Sequence, residues 1–377
     1  MVTNFCPHYH VRTFELLARR ADVRFVFFSG GEEWYWGQPR GPEGGDFPHE
    51  YLRGFHLSPW VRVTPSLIRL VWRYDGDVVL KCINGRFALP VTLIVAKLRR
   101  KPFVLWTGMW RHPRTLFHAL TYPVTRLVYR WSDAIVVYGD HVKRYLTSLG
   151  VSADKIFVAP HAVDNEAYSR HVNEAERRDI RARYGLGERR LVLFVGRLAP
   201  VKGLEILLEA YARLSLPNVA LVLVGDGELR PRLERLAGRL GISDRVTFAG
   251  YISPADTVSF YATADVLVLP SVSVRAGRET WGLVVNEAMN QGTPVVATTA
   301  VGAAAGGLVQ PGRTGEVVPE GQPGPLAEAL LRILSDGPYR EHLRAGAREV
   351  IAGWNNDRMI EGFLSAARYA AARNRRR

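Results

Sequence analysis

The chain has 377 residues, of which 47% are hydrophobic and 23% are charged, and its formal net charge at pH 7 is +14. This length exceeds what one hydrophobic core normally fills, so we expect two domains. The composition is ordinary for a soluble globular protein and excludes a disordered or fibrous chain.

Apolar runs typical of strands alternate with amphipathic helical stretches along the chain, which indicates α/β units with parallel sheets. In the first half, strands are predicted at Val23–Phe28, Val78–Lys81, Phe103–Trp106, Ala134–Tyr138 and Ile156–Ala159, with helices at Arg12–Arg20, Leu116–Trp131 and His141–Leu149. In the second half, strands are predicted at Leu191–Val195, Ala220–Val224, Val246–Ala249, Val266–Leu269, Pro294–Thr298 and Gly315–Val318, with helices at Leu204–Ser215, Leu229–Leu240, Val284–Asn290 and Leu326–Ser335. The polar stretch 161–190 between the two sets is predicted to be a linker.

Two such halves are expected to be Rossmann-like and to leave a cleft between them for a shared ligand. The beginning of the first sheet departs from this pattern, because only Val2-Thr3 precede the first loop. Either the first strand is unusually short or the true start of the protein lies upstream.

The two cysteines, Cys6 and Cys82, fit neither a disulfide framework nor a cysteine-based zinc site, which favours a reducing, cytoplasmic setting. No secretory signal is visible at the N-terminus. The longest apolar run, Phe87 to Leu98, contains Pro90 and is too short to span a bilayer, so it predicts a buried helix. We therefore expect a protein that is soluble or peripherally attached to a membrane.

Positive charge is concentrated in the first half of the chain. Residues 1–160 contain 22 Lys and Arg against 12 Asp and Glu, whereas the remainder contains 28 against 24. A basic first half suggests an anionic partner, which could be lipid headgroups, a phosphorylated acceptor or nucleic acid. A general preference for arginine in the source genome is an alternative that stays open.

Two glutamates, Glu279 and Glu287, lie eight positions apart on either side of Trp281-Gly282. On one continuous helix they would be separated by about 12 Å of axial rise. A two-carboxylate retaining hydrolase needs them roughly 5 Å apart. If Glu279 lies in a loop and Glu287 on the following helix, they are better suited to hold different parts of one long ligand.

A second motif follows the strand predicted at Leu191–Val195. Arg197 comes directly after that strand, and Lys202 precedes a helix that begins near Leu204. Two cations beside a helix N-terminus are typical of a diphosphate site. The alternative is a surface arginine and lysine on an ordinary loop.

Two further segments are weaker candidates for contact with a nucleotide. Val224–Gly227 (VGDG) resembles part of a dinucleotide fingerprint, but it lacks the third glycine and indicates a tight turn. Ile252, which follows the next predicted strand, could contact a base through its backbone.

Five segments occur in a characteristic order: LFVGRLAPVKG, VGDG, VTFAGYIS, ADVLVLPS and ETWGLVVNEAMNQGTPVVAT. In this order they resemble the family 4 retaining glycosyltransferases of the GT-B fold, which carry a Glu-x7-Glu motif. The resemblance is strong over residues 191–319 and diffuse over the first 160. It implies two Rossmann-like domains facing each other across a cleft, with the acceptor domain at 1–165 and the donor domain at 166–354. A final helix at about 355–377 would pack back on the first domain.

The resemblance also implies roles in binding a nucleotide-sugar donor. Glu279 would bind hydroxyls of the transferred sugar and Glu287 the ribose of the nucleotide. Arg197 and Lys202 would hold the diphosphate, with help from backbone N–H groups near Gly282-Leu283. Neither a metal nor another cofactor is expected. The implied activity is transfer of a hexosyl or N-acetylhexosaminyl group, with retention, to a hydroxyl of a lipid-linked or polysaccharide precursor.

The acceptor side is expected in the first half. His112, in the loop after Phe103–Trp106, is a candidate active-site histidine, although a loop histidine next to a proline is often structural. His8 and His10 follow the first strand, where many relatives carry a glycine-rich loop instead. His161 lies in a segment that resembles the family's interdomain hinge.

Two alternative functions stay open on the sequence alone. One is a sugar-nucleotide epimerase or a glycosyl phosphorylase of the same fold. The other is a basic nucleic-acid-binding protein, which the charge suggests, although no recognisable reading module is present.

Overall fold

A computed structural model, which describes residues 1–29 and 45–375, divides the chain into two compact units. The first unit comprises Met1–Trp110, Leu116–Asp164 and Asn355–Arg377, and the second comprises Arg111–Thr115 and Asn165–Trp354. Each unit contains a parallel sheet with helices around it. The predicted pair of Rossmann-like α/β units is therefore confirmed.

The first unit follows the chain through alternating strands and helices. These are β1 (Val2–Thr3), α1 (His8–Arg20), β2 (Phe25–Phe27), β3 (His49–Tyr51), β4 (Phe55–Ser58), β5 (Val61–Val63), α2 (Ser66–Arg73), β6 (Val79–Cys82), α3 (Ala88–Leu98), β7 (Phe103–Thr107), α4 (Leu116–Trp131), β8 (Ala134–Val137), α5 (Asp140–Ser148) and β9 (Ile156–Val158).

The parallel sheet of this unit has the strand order β3-β2-β1-β6-β7-β8-β9, and β4 and β5 form a separate antiparallel hairpin. β1 covers only Val2–Thr3, and it pairs with β2 and β6 in the interior of the sheet. Apolar side chains of α2, α3, α4 and α5 cover one face, whereas those of α1 cover the other.

The second unit contains α6 (Asn165–Tyr168), α7 (Glu174–Arg183), β10 (Arg190–Val195), α8 (Leu204–Ala212), β11 (Val219–Val224), α9 (Arg230–Arg239), β12 (Val246–Gly250), α10 (Pro254–Thr263), β13 (Val266–Leu269), α11 (Val284–Asn290), β14 (Val295–Thr298), α12 (Gly302–Ala305), β15 (Gly315–Val318), α13 (Pro323–Ser335) and α14 (Gly337–Ala352). Its sheet has the order β12-β11-β10-β13-β14-β15 with all strands parallel. The strand order reverses between β10 and β13, which makes a topological switch point there.

The central strands of the second sheet form because their sequences are uninterrupted apolar runs. All six residues of β11 are buried, as are the last five of β10. Parallel strands covered by helices on both faces require this pattern, since neither face meets water.

The last helix, α15 (Asn356–Arg375), packs within the first unit on the face that α1 also covers. The Thr13 hydroxyl donates to Asn356 Oδ1 at 2.7 Å, and Phe363 lies edge-on to Trp106. A Cβ at Gly362 would lie 2.6 Å from the Val158 carbonyl oxygen, so glycine permits the close approach of helix and sheet. Residues 376 and 377 of the predicted final helix lie outside the described residues.

The predicted linker at 161–190 is wrong, because this stretch forms α6 and α7 of the second unit. α7 begins with a capping box in which the Asn173 side chain accepts from the Glu176 backbone and Glu176 accepts from Asn173. Most of its charged residues face water, whereas Ile180 is buried and Arg177 donates to the Ala262 carbonyl. A short helix that buries so little shows no apolar stripe in its sequence.

The predicted helix at Phe87 to Leu98 is present as α3, but the prediction that it is buried is wrong. α3 buries Leu93 and Ala96, but Ile94 and Leu98 are 50% and 67% exposed. Within the part of the chain that the structure describes, no helix combines the length and apolar character needed to cross a membrane.

Candidate functional site

Two loops leave the second sheet on either side of its switch point, one after β10 and one after β13. Ligands of open α/β sheets bind beside the carboxyl ends of strands at such a point. The Val272 backbone N–H donates to the Val201 carbonyl at 2.8 Å, so the two loops are in contact. Gly203 has a φ of +64°, and a Cβ there would lie 2.1 Å from the Pro270 carbonyl oxygen. Glycine at 203 therefore allows the loops to approach this closely.

These loops bring together two of the predicted site residues. Lys202 Nζ lies 2.5 Å from Glu279 Oε2, and the two side chains are only 16% and 15% exposed. The Ser271 hydroxyl donates to the same carboxylate oxygen at 3.4 Å. Glu279 lies in the loop before α11, as the spacing of the two glutamates favoured. The switch point thus holds a largely buried cation beside a carboxylate that accepts hydrogen bonds.

Arg197 lies on the β10 loop directly after Gly196 and is exposed. The backbone of this loop is held against the VGDG segment, because Leu198 N donates to the Asp226 carbonyl at 2.9 Å. Gly225 has a φ of +125°, and a Cβ there would lie 2.0 Å from the Gly196 carbonyl oxygen. VGDG therefore positions the β10 loop through close backbone packing.

Gly282 and Leu283 lie between Glu279 and α11, and Gly282 has a φ of +91°, a conformation that favours glycine. Their carbonyls accept the first backbone hydrogen bonds of α11, from Val285 and Glu287. Ile252 is half-buried in the loop after β12, which lies at the edge of the sheet rather than at its switch point.

Glu287 lies on α11 and is buried in the second unit. Its Oε2 accepts a hydrogen bond of 2.5 Å from the Tyr261 hydroxyl, and Tyr168 donates to it as well. Burial raises the pKa of Glu287 to about 7, although the two tyrosine hydrogen bonds act in the opposite direction. Its hydrogen-bonding environment thus differs from that of Glu279, whose neighbour is a lysine.

His112 lies in the segment Arg111–Thr115, which groups with the second unit although its sequence neighbours on both sides belong to the first. The segment is held by the Arg114 N–H, which donates to the Arg275 carbonyl at 2.8 Å. Arg275 belongs to the β13 loop, four residues before Glu279. His112 is thereby tied to the same loop as Glu279.

Sequence reasoning did not single out Ser271, Tyr261 or Tyr168. Ser271 could have been identified from the sequence, because it is a polar residue just beyond the carboxyl end of a buried strand, where ligands of parallel sheets bind. Tyr261 and Tyr168 could not have been identified in this way, because their contacts with Glu287 depend on how α6, α10 and α11 pack. Trp281 is also buried, and its indole N–H donates to Asn286 Oδ1 at 2.8 Å.

Comparison with protein families agrees with this architecture. Residues 11–167 match the family described as Glycosyltransferase Family 4, and residues 176–350 match the family described as Glycosyl transferases group 1. Together with the two Rossmann-like units, these matches support a GT-B glycosyltransferase of these families.

Two curated proteins illustrate the similarity. The chain is 33% identical over 244 residues to alpha-D-kanosaminyltransferase of Streptomyces kanamyceticus. The matched segment covers 63% of this chain and 61% of that protein. It is 37% identical over 262 residues to D-inositol 3-phosphate glycosyltransferase of Mycobacterium tuberculosis. That matched segment covers 65% of this chain and 51% of that protein. The chain therefore spans between half and two thirds of the length of these relatives.

Solved structures share the fold over nearly the whole chain. Anabaena Alr3699/HepE in complex with UDP superposes with a TM-score of 0.76 at 21% identity, covering 97% of both chains. A glycosyltransferase from Rickettsia africae superposes with a TM-score of 0.78 at 16% identity, covering 98% of this chain and 97% of the other. At these identities the likeness shows the fold alone. None of the comparisons favours the epimerase, phosphorylase or nucleic-acid-binding alternatives.

Proposed function

We propose that this chain is a retaining, metal-independent glycosyltransferase that moves a hexosyl or N-acetylhexosaminyl group from a nucleoside diphosphate sugar to a hydroxyl acceptor. The observation that carries the proposal is the Lys202–Glu279 pair at the switch point between β10 and β13. A cation for the diphosphate and a carboxylate for the sugar hydroxyls are what the donor requires side by side. The two family matches and the UDP held by a protein of the same fold support the same donor class.

In this proposal each residue of the site holds one part of the donor. Lys202 and Arg197 bind the diphosphate, and Glu279 accepts hydrogen bonds from the transferred sugar. The backbone around Gly282-Leu283 adds N–H donors to the phosphate. Glu287 binds the ribose, and the Ile252 backbone contacts the base.

The reaction is proposed to break the bond between the anomeric carbon and the diphosphate oxygen. The acceptor hydroxyl attacks on the same face, and its proton passes to the departing phosphate, so the anomeric configuration is retained. Negative charge grows on the leaving group, where Lys202 and Arg197 stabilise it without a change in their own positions. His112 is proposed to line the reaction centre, since its segment is tied to the loop that carries Glu279.

Metal independence is part of the proposal, because fixed cations supply the charge that a divalent ion would otherwise provide. The chain contains one Asp-x-Asp sequence, Asp75-Gly76-Asp77. It precedes β6 and so lies at the amino edge of its sheet, whereas ligands of parallel sheets bind at the carboxyl edge. No other cofactor is proposed.

We place the reaction in the cytoplasm, because Cys6 and Cys82 are both free and buried, which suits a reducing compartment. Both cysteines belong to the first unit.

The first unit is the part of the chain that we assign to the acceptor. The acceptor is proposed to be a glycan or a lipid-linked precursor.

Thermal shift with UDP-, GDP-, ADP- and dTDP-sugars tests the donor, because a ligand that binds the folded state raises its melting temperature. We expect one nucleotide class to raise the melting temperature of the wild type. Glu279→Ala should keep the shift from the nucleoside diphosphate and lose the increment that the sugar adds. Glu205→Ala, which removes an exposed ion pair with Arg232 in the same unit, is the matched control.

Turnover and product analysis test the chemistry. The anomeric configuration of the product, read by proton NMR, should match that of the donor, and EDTA should leave the initial rate unchanged. If Glu279→Ala turned over the donor as the wild type does, the sugar-binding role would be wrong. An inverted product would rule out the retaining mechanism.

A further inference from the structure

Exposed apolar side chains in the described part of the chain are concentrated on the first unit. The largest group lies on α4, where Leu116 is 79% exposed and Leu120 is 72% exposed. Further along the same helix the exposed apolar residues are Val124, Leu127 and Trp131. The spacings from 116 to 120, 124, 127 and 131 follow one stripe along an α-helix. The stripe points away from the core of its own unit, because the buried residues of α4 are Val128 and Tyr129.

Neighbouring elements extend this stripe. Other exposed apolar residues are Phe55, Leu57 and Trp60 on the β4–β5 hairpin, Ile68 and Trp72 on α2, and Ile94 and Leu98 on α3. The Arg86 guanidinium lies 3.7 Å from the centre of the Phe117 ring and 5.9 Å from that of Trp60, which connects α4 to the hairpin. Arg99 lies 5.6 Å from the centre of the Trp72 ring, which connects α3 to α2. We call these four elements the apolar–basic surface.

Most of the net charge of the chain lies in the same stretch. Residues 53–131, without the segment 111–115 of the second unit, contain 12 Lys and Arg against two Asp. Lys81 is buried, whereas Arg99, Arg126 and Arg130 are exposed near the apolar stripes. A globular protein rarely exposes a large connected apolar area unless it binds something there.

We propose that the apolar–basic surface docks the first unit on an anionic lipid bilayer. The aliphatic stripe of α4 would enter the boundary between headgroups and acyl chains, as amphipathic helices do. The arginines would extend their apolar stems along that stripe and place their charges among the lipid phosphates. This inference stands independently of the proposed transferase activity, since none of its residues belongs to the donor site.

Charge and side-chain chemistry select lipid over other occupants. A second copy of the chain would bring two strongly basic surfaces together without compensating carboxylates. Single-stranded nucleic acid binds to aromatic platforms on which bases stack. The exposed apolar residues of this surface are more often Leu, Val or Ile than aromatic, and those of α3 are all aliphatic. An anionic bilayer satisfies both the apolar area and the positive charge.

Sedimentation with vesicles tests the proposal on the full chain. The wild type is mixed with vesicles of phosphatidylcholine alone, or of equal parts phosphatidylcholine and phosphatidylglycerol, at low and high salt. One variant combines Leu120→Ser and Leu127→Ser, and a second combines Arg126→Glu and Arg130→Glu. The control combines Leu331→Ser and Arg235→Glu, an exposed apolar residue and an exposed arginine of the second unit. Far-UV circular dichroism checks that each variant is folded.

We expect the wild type and the control to sediment with the phosphatidylglycerol vesicles and much less with phosphatidylcholine. The leucine variant should bind about tenfold more weakly or worse, because it lacks two apolar side chains that docking would bury in the bilayer. The arginine variant should also lose at least about tenfold, and its binding should depend less steeply on salt than that of the wild type. Equal binding of the wild type to both vesicles, or no binding, would overturn the proposal. It would also fail if both variants bound like the control, or if single-stranded DNA displaced the protein from the vesicles.

Discussion

Replacing Glu287 with glutamine should stabilise the protein above neutral pH while weakening donor binding. Burial raises the pKa of Glu287 to about 7, from 4.5 when it is solvated. Folding therefore favours the protonated carboxyl, and the stability that this supplies is lost as pH rises through 7. The unfolded chain ionises first, so the loss begins near pH 4.5. A glutamine keeps the shape and an acceptor for the Tyr261 hydroxyl but does not ionise.

The size of the effect follows from the two pKa values. Between pH 5 and pH 8 the stability of the variant relative to the wild type should rise by roughly 2.5 kcal/mol. Urea unfolding at several pH values measures this difference directly. Donor affinity should move in the opposite direction, because an amide accepts hydrogen bonds from ribose hydroxyls less strongly than a carboxylate does.

The matched control is Glu316→Gln, since Glu316 also accepts a hydrogen bond from a tyrosine, Tyr339, but lies beside Arg332 and outside the site. This control measures how replacing a glutamate that accepts a hydrogen bond from a tyrosine changes stability at a place outside the donor site. A constant stability difference between Glu287→Gln and the wild type across this pH range would refute the reasoning about burial. Unchanged donor affinity would instead refute the role in ribose binding.

Three further perturbations have clear expected outcomes. Lys202→Met should lower kcat/KM roughly 100- to 1,000-fold, because the leaving diphosphate loses a fixed cation. It should also lower the melting temperature, because Glu279 keeps a largely buried charge without its partner. Gly225→Ala should destabilise the protein by more than about 2 kcal/mol in urea unfolding, because its Cβ would lie 2.0 Å from the Gly196 carbonyl oxygen. His161→Gln should make the protein more resistant to acid, measured by circular dichroism between pH 7 and pH 4. Burial lowers the pKa of His161 to about 3, so its contribution to stability is lost as pH falls below 6.5.

Each of these has a control within the chain. Gly312→Ala also changes a glycine of positive φ, but no atom lies within 4 Å of its Cβ position, so it isolates backbone strain from collision. Arg232→Met removes the exposed partner of Glu205 and should leave activity intact. His342 is exposed, and His342→Gln should leave the acid transition where it is in the wild type. A parallel response of any control and its test variant would contradict the stated cause.

The sequence predicted the second unit closely because its strands are buried on both faces and therefore appear as unbroken apolar runs. In the first unit, β3 and the β4–β5 hairpin escaped prediction, since their residues are half-buried or exposed and carry His, Glu and Arg among the apolar ones. The charged helix α7 was mistaken for a linker. Its capping box, Asn173 with Glu176, was the signal that could have identified it.

The site was predictable where chain order and topology decide it. Lys202 and Glu279 are 77 residues apart, yet both follow strands that flank the switch point, so a doubly wound sheet brings their loops together. Pairing of Glu287 with Tyr261 was not predictable, because it depends on the packing of α10 against α11. The same limit applies to Arg111–Thr115, whose grouping with the second unit depends on backbone contacts with the β13 loop.

Two histidines near the start of the first unit, His8 and His10, lie in α1, the helix that follows β1. Burial lowers the pKa of both imidazoles. His10 also packs 5.2 Å from His161, and its pKa is further lowered by that ring. These histidines are therefore neutral at pH 7 and supply no positive charge. Under the proposed mechanism, Arg197 and Lys202 supply the positive charge at the departing diphosphate, so loss of both cations should lower kcat/KM more than loss of His8 or His10.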